Sequence, residues 1–87
     1  MQCEFCENEA EWKVFLAVKR EMSKSRHSYI VTRPNGLVEH LSRQLTTFRK
    51  LEGSFVVRIP IYFREEGTPV CERCSLDDDV LGFADLS

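Results

Sequence analysis

Apolar and polar residues alternate from Trp12 to Lys19. Trp12, Val14, Leu16 and Val18 fall on one side, and Lys13, Phe15 and Lys19 on the other. A period of two predicts a half-buried β-strand. Residues 19–26 show no period and are rich in charge and serine, which predicts a loop. Ser28-Tyr29-Ile30-Val31-Thr32 is dense in β-branched residues and predicts a second strand. Arg33-Pro34-Asn35-Gly36 then reads as a turn. From Leu37 the period changes. Leu37, Val38, Leu41, Leu45, Phe48 and Leu51 recur at helical spacing within an arc of about 140°. The pattern predicts one long helix over 37–52, with Gly53 as its C-terminal stop and Glu39, Arg43, Thr46 and Lys50 on its outward face. Residues 54–64 alternate again, with Phe55, Val57, Ile59, Ile61 and Phe63 on one face. Pro60 cannot donate to a ladder, so this third strand is expected at an edge or with a bulge. Glu65-Glu66-Gly67-Thr68-Pro69 is expected to turn the chain. Ser75 is positioned as an N-cap with Asp78 at the capping-box position. Leu76, Val80, Phe83 and Ala84 follow at helical spacing and predict a short C-terminal helix.

The expected fold class is therefore α+β: a small antiparallel sheet of about three strands, one long helix and a short terminal one. At 87 residues the chain suits a single domain, 1–87, in which 19–53 reads as an insertion-like middle. A composition of 43% hydrophobic and 30% charged residues is that of a globular chain rather than a disordered one. No apolar run approaches the roughly 18 residues of a membrane span. Met1-Gln2-Cys3 opens with neither a basic nor an apolar leader segment, so the expected location is cytoplasmic. A chain of this size buries only about 60–65% of its unfolded surface, so its core calls for an additional fastening.

The cysteines supply one. All four are used in two C-x-x-C pairs, Cys3-Glu4-Phe5-Cys6 and Cys71-Glu72-Arg73-Cys74. In a reducing compartment such pairs point to a metal before disulfides. Two intervening residues let a tight turn aim both sulfurs at one ion, and four thiolates complete a tetrahedron at about 2.3 Å from zinc. Such a site is closed to water and is structural. Iron in the same four-thiolate geometry is chemically allowed. A thioredoxin-type pair should follow a strand, and haem attachment needs His after the second Cys, where Glu7 and Ser75 stand. A mixed site with His27 or His40 would have to displace a cysteine. The expected cofactor is thus one structural Zn2+ on Cys3, Cys6, Cys71 and Cys74, closing a loop of 64 intervening residues between Cys6 and Cys71.

The stretches Cys3-Glu4-Phe5-Cys6-Glu7-Asn8 and Val70-Cys71-Glu72-Arg73-Cys74 resemble a treble-clef zinc finger. They are similar in particular to the small zinc-binding domain of AAA+ unfoldases, at the two cysteine pairs only. The resemblance implies zinc at these four cysteines and a binding role. Residues 19–53 have no counterpart in a compact finger.

Charge adds one further element. Residues 1–18 hold one basic residue against four acidic ones, 19–64 ten against three, and 65–87 one against seven. A basic middle between acidic ends suits contact with a polyanion. Lys24, Arg26, Arg33, Arg43, Lys50 and Arg58 are the candidate nucleic-acid-binding residues, with Tyr29 or Tyr62 available to stack a base. Catalytic signatures are missing. The glycines are isolated, no nucleophile elbow occurs, and every cysteine is assigned. The expectation is a non-enzymatic, regulatory binding module around nucleic-acid machinery. The alternative is a protein–protein adaptor or inhibitor docking on a larger protein machine through an apolar face of Phe15, Val56 and Tyr62. No small-molecule substrate and no membrane partner is expected.

Overall fold

The computed structural model describes residues 1–86. Seven strands and two short helices follow one another: β1 (Trp12–Ala17), β2 (Lys19–Met22), β3 (Ser28–Thr32), β4 (Val38–Ser42), β5 (Thr47–Leu51), β6 (Ser54–Pro60), β7 (Thr68–Val70), α1 (Glu72–Ser75) and α2 (Asp78–Phe83). They form a four-stranded sheet in the order β5-β6-β1-β7 and a three-stranded sheet in the order β2-β3-β4. Every pairing is antiparallel. β1 and β2 are one path bent at Val18, whose N–H donates to the Thr32 carbonyl at 2.8 Å. The meander that leaves through β2 returns through β5 and β6 to pair with β1 again. The result is an open barrel whose seam lies between β4 and β5.

The central strand is buried on both faces, not one. Val14, Val56 and Val70 face a cluster that includes Cys3, Cys71, Cys74, Leu81 and Leu86. Phe15, Ala17, Val57 and Ile59 face Val31 and Leu41 of the three-stranded sheet. The four-stranded sheet is therefore the middle of three layers. Pro60 occupies the last position of β6, opposite Trp12, beyond the point where β5 pairs (Thr47 with Arg58), so no ladder bond is lost there.

The long helix over 37–52 does not exist, and the fold is mostly β rather than α+β. Residues 38–42 pair with β3 and residues 47–51 pair with β6. A helix here would have left the outer edges of β3 and β6 without partners for their N–H and C=O groups. The helical recurrence came from two strands and their flanking turns. Leu37 and Val38, at the β3–β4 turn, are 53% and 54% exposed, and of the predicted stripe only Leu41 is fully buried. In β4 the true period is two: Glu39 and Leu41 turn inward, Val38 and His40 outward. Gly53 is not a helix stop. With Glu52 it forms the two-residue loop between Leu51 and Ser54, at φ 76°. The expected loop over 19–26 also contains a strand, since β2 pairs with β3 through Lys19–Thr32 to Met22–Tyr29. All four of its residues are exposed, so apolar periodicity had nothing to report.

At the C-terminus the caps differ from expectation. Cys71 caps α1 and Asp77 caps α2, the Asp77 carboxylate accepting from the N–H of Asp79 and Val80 at 3.0 and 3.2 Å. Ser75 lies inside α1, buried, its hydroxyl donating to the Glu72 carbonyl at 2.6 Å. Leu81 and Leu86 seal the core, whereas Phe83 is 92% exposed.

Candidate metal centre and basic surface

The first cysteine pair sits in a small loop closed by the Gln2–Glu9 bridge. Cys3 N–H donates to the Asn8 carbonyl, and Glu4 N–H to the Pro69 carbonyl, both at 2.9 Å. The second bond ties this loop to β7. Pro69 has no N–H to give, which suits an edge strand. The second pair lies directly after β7, with Cys71 as N-cap and Cys74 within α1. The paired β1 and β7 thus carry both C-x-x-C turns to the same end of the sheet.

All four sulfurs lie within 4.8 Å of one another. Cys6 Sγ is 3.5 Å from Cys71 Sγ and 3.8 Å from Cys74 Sγ. The corners of a tetrahedron of radius ~2.3 Å are about 3.8 Å apart, so the cluster has the dimensions of a four-thiolate metal site. The first cysteine of each pair accepts a backbone N–H on its sulfur: Phe5 N to Cys3 at 3.5 Å, Cys74 N to Cys71 at 3.4 Å. That N–H pulls Cys71 down to about 6. Burial pushes Cys3 up, but the N–H groups of Phe5 and Cys71 together with the sulfurs of Cys6 and Cys74 outweigh it, and its net shift is downward. The second cysteine of each pair moves the other way. Burial and the neighbouring sulfurs push Cys74 up. For Cys6 the Asn8 N–H draws downward, but lost solvent and the sulfurs of Cys71 and Cys3 prevail. In each turn, therefore, the first thiol is shifted downward and the second upward. Four cysteines so arranged can hold a metal ion.

Sequence reasoning missed the network behind the second pair. Arg58 stacks over Trp12, its Cζ 4.0 Å from the ring centroid. Its Nε donates to Thr47 Oγ1 at 3.1 Å and its Nη1 to Ser75 Oγ at 2.9 Å. It also lies 3.6 Å from the Glu72 carboxylate, which accepts the Trp12 indole N–H. Glu72 is one of the two residues inside the second C-x-x-C. Strand alternation put Arg58 on the face it shares with Val56; the register, Arg58 opposite Val14, is what sets it beside Trp12.

The six basic candidates do not form one face. Arg58 is committed to the network just described. Arg33 pairs with Glu39 at 3.2 Å and lies 4.4 Å from the Phe15 ring centroid. Arg64, which also binds Glu39, lies 4.6 Å from the same centroid. Lys50 is exposed on β5, away from the others. Lys24, Arg26 and Arg43 remain, gathered by the β2–β3 and β4–β5 turns. Arg43 thus sits in a turn, and shares no helix face with Lys50. Tyr29 packs edge-on against Phe48 with centroids 4.8 Å apart, so its ring belongs to the core edge. The apolar docking face of Phe15, Val56 and Tyr62 is not a surface. Phe15 and Val56 are buried in the two separate cores, and only Tyr62 is exposed.

No protein-family model, curated protein or solved structure matches this chain. Among the described residues, no helix is long and apolar enough to cross a membrane.

Proposed function

We propose that this chain is a non-enzymatic binding module whose four cysteines hold one structural Zn2+ and whose basic tip contacts nucleic acid. The observation that carries the metal is the cluster of four sulfurs within 4.8 Å, drawn from both ends of the chain. Zinc is favoured by the all-thiolate donor set and by the closed arrangement, with four protein ligands and no position aimed at a substrate. Bound there, the ion supplies cross-linking rather than chemistry, joining the N-terminal loop to α1. The order of first turn, strands, second turn and helix supports the treble-clef reading, with seven strands between the halves. The nucleic-acid reading is supported by Lys24, Arg26 and Arg43, which have no ion-pair partner among the described residues, whereas Arg33, Arg49, Arg58 and Arg64 all have one.

Elemental analysis of the purified protein tests the metal directly. One equivalent of zinc per chain is expected. Iron would keep the site and change the ion, whereas a folded, metal-free protein with four titratable thiols would remove the staple. Binding to generic oligonucleotides at low salt tests the partner. No binding there would leave the protein-adaptor alternative.

A further inference from the structure

At the end of the three-stranded sheet the two turns that hold the uncommitted basic residues enclose a cleft of about 550 Å³, lined by Arg26, His27, Ser42, Arg43 and Gln44. We infer that this cleft is a phosphate-binding site, which holds neighbouring phosphodiesters of a nucleic-acid backbone without reading the base. The inference rests on the nucleic-acid reading above and gives it a location and a mode.

The lining has the chemistry of an anion site. Two arginines, a histidine, a serine and a glutamine line it, and Lys24 stands on the same turn as Arg26. Arginine donors in a fork suit phosphate oxygens. No carboxylate competes. From Met22 to Leu51 the sole acidic residue is Glu39, and Arg33 and Arg64 occupy it. The site is also built before any ligand arrives. Arg43 N–H donates to the His27 carbonyl at 3.0 Å, and Arg43 Nη1 to the Arg26 carbonyl at 3.2 Å, which fastens one turn to the other. Serine hydroxyls brace the first turn internally. Ser28 N donates to Ser23 Oγ at 3.3 Å and His27 N to Ser25 Oγ at 3.4 Å. Arg26 itself sits at φ 62°, a left-handed conformation that arginine disfavours and asparagine accepts. No phenyl, phenol or indole ring lines the cleft, so the His27 imidazole and the arginine planes are all it offers a base to stack on. Phosphate contact without base contact positions a strand and carries no sequence information.

The test uses the full-length, metal-loaded chain. Labelled generic single- and double-stranded oligonucleotides are titrated at about 50 and 200 mM salt, with inorganic tripolyphosphate as a separate probe. Three phosphate contacts, from Lys24, Arg26 and Arg43, should weaken binding about 20–40-fold between those salts. Arg26→Asn removes one charge and relieves the backbone, so it folds at least as well as the parent. It should reduce the salt effect to about 7–12-fold. Arg43→Gln should act in the same direction, and Lys50→Gln, outside the cleft, should leave the salt effect unchanged. Oligonucleotide binding that is indifferent to Arg26→Asn and Arg43→Gln would overturn the cleft while leaving nucleic acid as the partner. Tripolyphosphate binding that depends on both arginines, with no oligonucleotide binding, would overturn the nucleic-acid reading and with it the phosphodiester assignment. Binding of neither probe would overturn both. Marked preference among oligonucleotide sequences would overturn the absence of base reading.

Discussion

Replacing Arg58 with methionine isolates the network that couples the barrel to the second cysteine turn. Methionine keeps most of the stem's apolar contact with Trp12 and removes the charge and its donors. Besides the exposed hydrogen bond to Thr47 Oγ1 at 3.1 Å, which adds little, three interactions are lost. The first is a guanidinium stacked at 4.0 Å from the indole centroid, worth about 0.5–1 kcal/mol. The second is a charged hydrogen bond to the buried Ser75 hydroxyl at 2.9 Å, worth about 1.5–3 kcal/mol. The third is the contact with Glu72, whose side chain is half exposed and adds little once solvent screening is counted. Ser75 still donates to the Glu72 carbonyl, so it is not stranded. The expected loss is about 2–4 kcal/mol, or a fall in melting temperature of very roughly 10–25 °C for a domain of this size. Trp12 is the chain's one tryptophan, and its N–H bonds Glu72 inside the C-x-x-C, so its fluorescence reports directly on the second turn. Thermal unfolding followed by that fluorescence, at fixed metal content, is the assay. The variant should also surrender its metal to a chelator at lower concentration than the parent. An unchanged melting temperature together with an unchanged chelation midpoint would refute the reasoning and reduce Arg58 to a surface residue.

A strong chelator, or Cys71→Ser, should lower the melting temperature steeply, since structural zinc contributes on the order of 10 kcal/mol. The check is calorimetry with and without metal, and an unmoved melting point would contradict it. The acid limit follows from Cys71, held at about 6 against an ordinary 9. A depressed value favours the folded thiolate, so its contribution is whole above pH 9 and is lost as pH falls through about 6. Metal binding requires thiolates at all four cysteines and has the same sign, so affinity should weaken steadily as pH falls, read by a colorimetric metal indicator. Gly67→Ala should destabilise by about 1–3 kcal/mol, because Gly67 has φ 116° and a Cβ there would stand 3.1 Å from Lys13 Cβ. Denaturant unfolding measures it, and a loss no larger than that of Gly36→Ala, which faces open space at φ 90°, would show that the contact is immaterial.

The cysteine cluster was legible because its signal is local and chemical: residue type and spacing suffice to bring two sulfurs together, and the lack of a fifth cysteine leaves one partition. The strands at 12–17, 28–32 and 54–60 were legible from alternation. The 37–52 segment was not, because its leucines at 37 and 45 serve turns, and a stripe of apolar residues at helical spacing arises by accident when short strands and turns follow closely. Thr46 and Thr47, adjacent β-branched residues in the middle of the supposed helix, were the contrary sign. β2 escaped because its neighbours, not its own side chains, make it a strand. The basic candidates divided according to whether a carboxylate was brought near. For Arg33 and Arg64 that was Glu39 on β4, a long-range meeting that charge arithmetic along the chain cannot foresee.

The position of the cysteines also decides how this molecule bears load. With a metal bound, Cys3 and Cys6 are joined to Cys71 and Cys74, so the residues between them form a loop closed by the ion. Tension drawn through the two cysteine turns then passes through metal–sulfur bonds before it reaches the barrel. Once the cluster ruptures and the strands part, the 64 residues between Cys6 and Cys71 release about 220 Å of hidden length. In mechanical terms the ion is a fuse, and the sheet behind it is a reserve of chain that an intact cluster keeps out of reach.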